Sequence, residues 1–416
     1  MSRLFTMENG RRRVLKGIAA GGAGVATASL WSRSAWAQDD TIRIGFPTPL
    51  TGPFGAEAKD QVQAAELAIK HFNEEGGLKG RKAVLLVRDD KLKPGEAATR
   101  TLELIEKDKV HFIVGALSAS VQLAVNEVAK ARGIIYNSIS QSDSINEAKD
   151  FSKYTFHEAM NPHMTAGAVG RYAFKKGQKV AFLTADYAYG HEMVRGFRRV
   201  ADEMGLTVLD DIRHPAGSSD YSIFLPRIQA LKPDVLAICN FGRDQLNSIK
   251  QATDFGMKKQ MKIVVPVLLY NQRLAGGAGP FEDVVGAANY HWTLEEKMPS
   301  AKKFNDAYRA AYGGTVPSDY GAYGYVGVKS VLDAARQAGT TDSDAVIAAL
   351  ESMKYDYYKG PQYFRKCDHQ SVQPILIVES KKQSEMRNPH DVFNILEIEQ
   401  GSEKVLRSCS ELGHSA

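Results

Sequence analysis

From residue 41 onward the chain alternates between two hydrophobic periods. Short apolar runs of strand length (residues 41–46, 83–87, 111–115 and 134–136) are separated by stretches in which apolar residues recur every three or four positions (61–72, 97–107 and 121–129). The runs read as buried strands and the stretches as amphipathic helices. Their order, β-α-β-α-β-α-β, predicts a doubly wound α/β unit. The alternation then starts again, with helices at 164–175, 192–204 and 245–255 and strands at 179–183, 207–212, Val235–Cys239 and Lys262–Val267. A helix at 221–231 is expected to break near Pro226. Helices at 301–312, 325–338 and 342–353 follow, and residues 360–398 read as short strands. No Pro/Ser-rich linker separates the two units. The late helices come after the second sheet is complete, so some are expected to pack back on the first. The resulting expectation is two discontinuous lobes with a cleft between their sheet edges: 38–157 with 290–350, and 158–289 with 351–416.

Residues 110–144 show how such a cleft is furnished. Strand 111–115 runs into the hydroxyl-rich loop Leu117-Ser118-Ala119-Ser120, and strand 134–136 into a second one at 138–144. Parallel strands deliver both loops to one edge of the sheet, the edge where open α/β sheets bind ligands. The first loop also opens a helix, whose free N–H groups attract a carboxylate or phosphate. Ser118 and Ser120 equally suit plain N-caps, and this stretch alone favours the caps.

The first 37 residues read as a leader rather than fold. Arg11-Arg12-Arg13-Val14-Leu15-Lys16 precedes an uncharged Gly/Ala-rich run and an Ala35-Trp36-Ala37 cleavage pattern. It resembles a twin-arginine export signal, with Val14 where Phe is usual, and the apolar run is too short to span a bilayer. The leader holds six of the 53 basic and one of the 48 acidic side chains, leaving 47 of each. The apparent basicity therefore belongs to the leader, and nothing calls for a nucleic acid or an anionic membrane. Of three cysteines, Cys239 lies in an apolar run and is expected to be a buried thiol. Cys367 and Cys409 are available to pair in an oxidising compartment. The odd count and the lack of C-x-x-C spacing argue against a zinc site.

The chain contains no G-x-S-x-G elbow, P-loop, H-E-x-x-H or EF-hand loop. Its G-x-G elements fall in the leader or before Pro280, so no dinucleotide site, cofactor or metal site is expected. His157, Glu158 and His163 lack chelating i, i+4 spacing, and Pro162 is expected to break a helix there; solvated surface is the reading. Asp89-Asp90 read as turn formers.

Taken together, several segments resemble the leucine/isoleucine/valine-binding-protein family of type I periplasmic binding proteins. They are Gly45 to Pro53 (GFPTPLTGP), Asn73 to Gly80 (NEEGGLKG), the Asp89-Asp90 loop, Ile113-Val114-Gly115, Asp186-Tyr187-Ala188-Tyr189-Gly190, and Gln251-Ala252 with Phe255-Gly256. The resemblance runs from about Thr41 to at least Gln370. It implies two α/β lobes joined by three crossovers, a cleft closing on a small ligand, a periplasmic location and delivery to the permease of an ABC importer. It also implies a monomer without cofactor or enzymatic activity. The odds for the Ser-rich loops move accordingly: Ser118, Ala119 and Ser120 fall where the family holds a ligand carboxylate, and Ser140, Gln141 and Ser142 on the next contact loop. Tyr189 matches the tyrosine that closes from the second lobe, Phe241 a position where amino-acid binders often carry Tyr, and Phe54 and Glu57 an aromatic wall. Two departures concern the far end of the ligand. No carboxylate follows strand Lys262–Val267, where amino-acid binders clamp the ammonium, and Glu57 stands near the aromatic wall. Either Glu57 or Asp186 takes over the ammonium or the ligand has none; Glu57 also reads as a solvated helix-entry residue. The implied ligand is a branched-chain or other amino acid, a related aromatic acid, or an amide. Two other classes stay open: a periplasmic sensor feeding a chemoreceptor or kinase, and an exported α/β hydrolase. The hydrolase needs a histidine near the serines, and His111 sits at the wrong end of its strand.

Overall fold

The computed structural model describes residues 41–415; the leader expected at 1–37 lies outside them. Eight elements build the first unit: β1 (Ile42–Thr48), α1 (Gly55–Glu74), β2 (Ala83–Asp89), α2 (Pro94–Glu106), β3 (Phe112–Gly115), α3 (Ala119–Arg132), β4 (Ile135–Ser138) and β5 (Thr155–His157). The strands form a wholly parallel sheet in the order β2-β1-β3-β4-β5. Successive residues of β3 serve opposite faces, as the period of two requires. Phe112 and Val114 join the core beside α1, while Ile113 packs with Leu104 of α2 and Val121 and Val125 of α3.

The second unit runs α4 (Pro162–Ala173), β6 (Lys179–Ala185), α5 (Ala188–Met204), β7 (Thr207–His214), α6 (Leu225–Leu231), β8 (Val235–Cys239), α7 (Arg243–Asp254), β9 (Lys262–Val267), α8 (Tyr270–Gly276), α9 (Ala278–Phe281) and β10 (Val285–Ala288). Helices α10 (Pro299–Ala311), α11 (Asp319–Ala338) and α12 (Ser343–Ser352) follow, and α11 packs along α1 of the first unit. The tail supplies β11 (Lys354–Tyr355), β12 (Gln362–Phe364), β13 (Ser371–Val372), β14 (Ile375–Ser380) and β15 (Phe393–Glu399). Strands β14 and β15 complete the second sheet, β15-β14-β10-β9-β8-β6-β7, on its antiparallel edge. The protein is thus an α/β molecule of two doubly wound lobes.

Pro162 does the reverse of what was expected: it starts α4 instead of breaking a helix, because a missing N–H costs nothing in a first turn. The break expected near Pro226 is present: residues 221–224 stay outside the helix, and α6 begins at Leu225 with Pro226 in its first turn. Residues 354–372, grouped with the second lobe from sequence, pack on the first. His369 stacks on Phe156 at 4.0 Å between ring centroids and bridges Thr155 O and Glu351. The chain passes between lobes at 158–161, 289–298 and 373–374, and then a fourth time. After β15 it returns to the first lobe, where Ala148 N–H donates to Leu412 O at 2.9 Å, Arg407 pairs with Glu147 at 2.8 Å, and Cys409 is disulfide-bonded to Cys367. Cys239 is a buried free thiol.

Candidate functional site

Each sheet reverses its strand order once, at β1/β3 in the first lobe and β6/β8 in the second. At such a point the loops leaving two neighbouring strands diverge and open a crevice. The two crevices face each other. From the first come Phe54 at the start of α1 and Ser118 at the start of α3; from the second, Tyr189 in the first turn of α5 and Phe241 after β8. All four are buried. Phe241 is the hub of their contact, 4.8 Å from Phe54, 5.8 Å from Tyr189 and 5.0 Å from Tyr320 of α11 between ring centroids, edge-on in each case. The lobes are therefore closed on one another through an aromatic layer.

Ser118 occupies the N-cap position of α3, yet its hydroxyl caps nothing. The N–H groups of Ala119, Ser120 and Val121 are the free donors of that first turn; the next, Gln122 N–H, already bonds Ser118 O. On the following loop the Ser140 hydroxyl is buried without a partner, and Gln141 donates from Nε2 to Tyr320 Oη at 3.2 Å while its Oε1 has none. The Tyr189 hydroxyl is likewise buried and unpartnered. Ser142 is committed elsewhere: its hydroxyl donates to Glu192 of α5 across the cleft at 3.1 Å.

The acidic residues depart furthest from expectation. Glu57 is not a solvated helix-entry residue; it is fully buried, with Oε1 accepting from Gln272 Nε2 of α8 at 2.7 Å and Oε2 unpartnered. Burial, against the lesser effect of that bond, pushes its carboxyl up to about 7. Asp186 is exposed and paired with His191 at 2.8 Å, too far out to replace an ammonium clamp. Asp319, not singled out from sequence, is buried at the start of α11 with both carboxyl oxygens unpartnered, and burial followed by the nearby Glu57 raises its pKa. The helix was expected to begin at 325, so Asp319 and Tyr320 fell in a loop. The signal was present: Ser318 after Pro317 is the N-cap, its hydroxyl accepting from Gly321 N–H at 3.0 Å.

His157 and Glu158, read as surface, are buried where the chain first leaves β5. His157 lies 2.7 Å from both Asn146 Oδ1 and Ser140 O, and so fixes the Ser140 loop. Glu158 accepts from Tyr355 and Gln362 at 2.7 and 3.1 Å. Its own carbonyl accepts from Gln373, whose side-chain oxygen takes Lys359 Nζ at 2.6 Å. Lys359 also reaches Asn289, so this buried network ties together the first three crossings. The cleft mouth is an open cavity of about 650 Å³ lined by Leu50, Pro53, Lys59, Arg243 and Gln272.

A family model described as periplasmic binding protein matches residues 41–385. A Leu/Ile/Val-binding protein homolog (homolog 7) from Brucella abortus (strain 2308) is 25% identical over 347 residues, covering 79% of this chain and 85% of the relative. A periplasmic binding protein from Burkholderia mallei superposes with a TM-score of 0.82 at 28% identity, over 89% of this chain and 98% of that one. The solute-binding protein of an ABC transporter from Rhodopseudomonas palustris BisB5, solved with 3,4-dihydroxybenzoic acid, superposes at 0.76 and 24% identity, over 87% and 98% of the two chains.

Proposed function

Because the chain belongs to the periplasmic binding protein family, we propose that it is the solute-binding component of an ABC importer, exported to the periplasm by its twin-arginine leader and handing a small carboxylate-bearing ligand to a permease. Members of the family bind rather than transform their ligands, and the same is proposed here: no bond is made or broken. The observation that carries the reading is the start of α3, where an uncapped Ser118 hydroxyl and the free N–H groups of Ala119, Ser120 and Val121 stand at the switch point of the first sheet. That set of donors fits one carboxylate. Ser140 and Gln141 add a hydroxyl and an amide beside it.

Closure then brings the second lobe over the ligand, with Tyr189 and Phe241 as its inner surface and Phe54 opposite. Ser142 takes part in holding the lobes together instead of touching ligand. The aromatic layer favours a ligand with an apolar or planar body, such as a branched-chain or aromatic amino acid. A thermal-shift screen of the leaderless protein against amino acids, aromatic acids and amides tests this, since a ligand bound only by the native state raises the midpoint. Ser118→Ala and Tyr189→Ala should each weaken the best hit roughly tenfold or more. Unchanged affinity in both would remove the proposed site.

A further inference from the structure

The wall of the cleft formed by α1 and α11 carries an unmet electrostatic demand. Glu57 and Asp319 are both buried, and three of their four carboxyl oxygens accept no hydrogen bond. The fourth is held by Gln272 at 2.7 Å. The backbone N–H groups of Tyr270 and Tyr320 lie near enough to stabilise negative charge on Asp319, but neither closes a bond to it. A third carboxyl, Asp60, lies one turn beyond Glu57 and is tied to Asn271 of α8 at 2.8 Å. Arg243, whose charge reaches Glu57, is itself exposed. Two acids buried with neither cation nor full hydrogen bonding are costly. Gln141 Oε1, on the loop facing Tyr320, is a further buried acceptor without a donor.

We propose that Glu57 and Asp319 together form the receptor for a protonated primary amine on the ligand, and that filling it is what allows the lobes to close. The proposal rests on the solute-binding function above. The three unmet oxygens match in number the three N–H donors of an ammonium. Phe54 and Tyr320, close to the two acids in sequence, meet Phe241 ring to ring, and an aromatic environment favours a desolvated cation. Both ends of an amino acid are then read from elements of the first lobe: the carboxylate at Ser118–Ser120 and the amine at Glu57 and Asp319. The second lobe supplies the lid, and its α8 contributes the residues (Tyr270, Asn271 and Gln272) that seal the acids from water. Without the amine, closure must bury uncompensated negative charge or draw protons onto the two carboxyls; with it, that obstacle is gone. The ligand supplies the differential interaction that a conformational shift requires. Acids lacking an amine are rejected by the same logic.

Small-angle scattering of the ligand-free leaderless protein at pH 8 tests the gating without knowledge of the ligand. Wild type should be open, while Glu57→Gln, Asp319→Asn and the double variant, each shown to unfold cooperatively, should have progressively smaller radii of gyration. Equal radii in all four would overturn the gating. Calorimetric titration with L-leucine and L-phenylalanine, and with their deaminated isosteres 4-methylpentanoate and 3-phenylpropanoate, tests the receptor. The amino acid should bind, its isostere should not, and Asp319→Asn should lower affinity roughly ten- to a hundredfold. An isostere that binds as tightly as its amino acid overturns the amine receptor while leaving the carboxylate site standing. If none of the four probes binds, the amino-acid reading under the proposed function fails, and the scattering result alone decides whether the two acids gate closure.

Discussion

Glu192, in the second lobe, accepts the backbone N–H of Asp143 in the first at 3.0 Å, and its other oxygen takes the hydroxyls of Ser142 and Ser144 at 3.1 and 2.6 Å. Arg195, one turn along α5, pairs with Asp143 at 2.9 Å. Glu192 therefore holds residues 142–144 of the loop that follows β4, just beyond the Ser140 and Gln141 that His157 helps to fix. These bonds join the two lobes in the closed protein, so they weigh on the closed side of the equilibrium. Glu192→Ala is expected to weaken ligand affinity about tenfold, with a faster off-rate. Calorimetry and stopped-flow measurement on the best ligand check it; an unchanged dissociation constant would mean that closure is held elsewhere.

The same carboxyl sets a pH dependence. Burial, and next the Asp143 charge, raise Glu192 from 4.5 to about 7. Between those values the folded protein holds a proton that the unfolded chain has released, so the stability Glu192 contributes is full below pH 4.5 and is lost as pH rises toward 7. Buried histidines, His157 among them, are pushed down by burial and act in the opposite direction over part of this range. Comparison with Glu192→Gln cancels them. The variant's melting temperature should gain on wild type steadily from pH 4.5 to 7.5; a constant difference would show that Glu192 does not titrate there.

The disulfide between Cys367 and Cys409 closes a 42-residue separation. It fastens the end of the chain beside Phe156 and His157, after β15 has already committed the preceding segment to the second lobe. Removing it by Cys409→Ser should cost about 4 kcal/mol through the freedom restored to the unfolded chain. Chemical denaturation of the variant against wild type, both kept free of reductant, measures it. A loss below about 1 kcal/mol would mean that the tail's own contacts, Ala148 with Leu412 and Arg407 with Glu147, already hold it in place.

The lobes were legible because parallel strands buried on both faces leave unbroken apolar runs, and two of them, Val235–Cys239 and Lys262–Val267, were bounded to the residue. Tyr189 and Phe241 were singled out by the family resemblance, on the segments that follow β6 and β8. The acids at the far end were harder. Glu57 was noticed as an anomaly, but its burial depends on α8, more than 200 residues away, and no local pattern reports that. Asp319 was lost with the first turn of α11. Small residues at Gly321, Ala322 and Gly324 thin the apolar pattern there, and they are small because α11 lies against α1: a Cβ on Gly324 would meet Gln61 O at 2.0 Å. The buried His157 and Glu158 looked like surface for a related reason. Their partners, Tyr355, Gln362 and the Asn146 side chain, come from the distant 354–372 segment or from a loop that folds back on β5.

Gly242 gives the sharpest separation of closure from folding. It begins α7 at φ +59°, ψ −135°, a conformation open to glycine, and a Cβ there would stand 2.6 Å from the Phe54 ring and 2.8 Å from Pro53 O. The next residue's N–H bonds that same carbonyl at 3.3 Å, so the two loops touch backbone to backbone. Both obstacles belong to the first lobe and vanish when the lobes part. In Gly242→Ala the open protein therefore bears the backbone strain alone, about 1–3 kcal/mol, while the closed one must also displace the Phe54 wall. The variant should remain cooperatively folded with a modestly lower melting temperature, yet lose most of the ligand-induced rise that wild type shows. Ligand-induced compaction in small-angle scattering should shrink with it. If Gly242→Ala melts lower but keeps the full ligand-induced rise and compaction, the contact between this loop and Pro53-Phe54 is not part of the ligand-bound state.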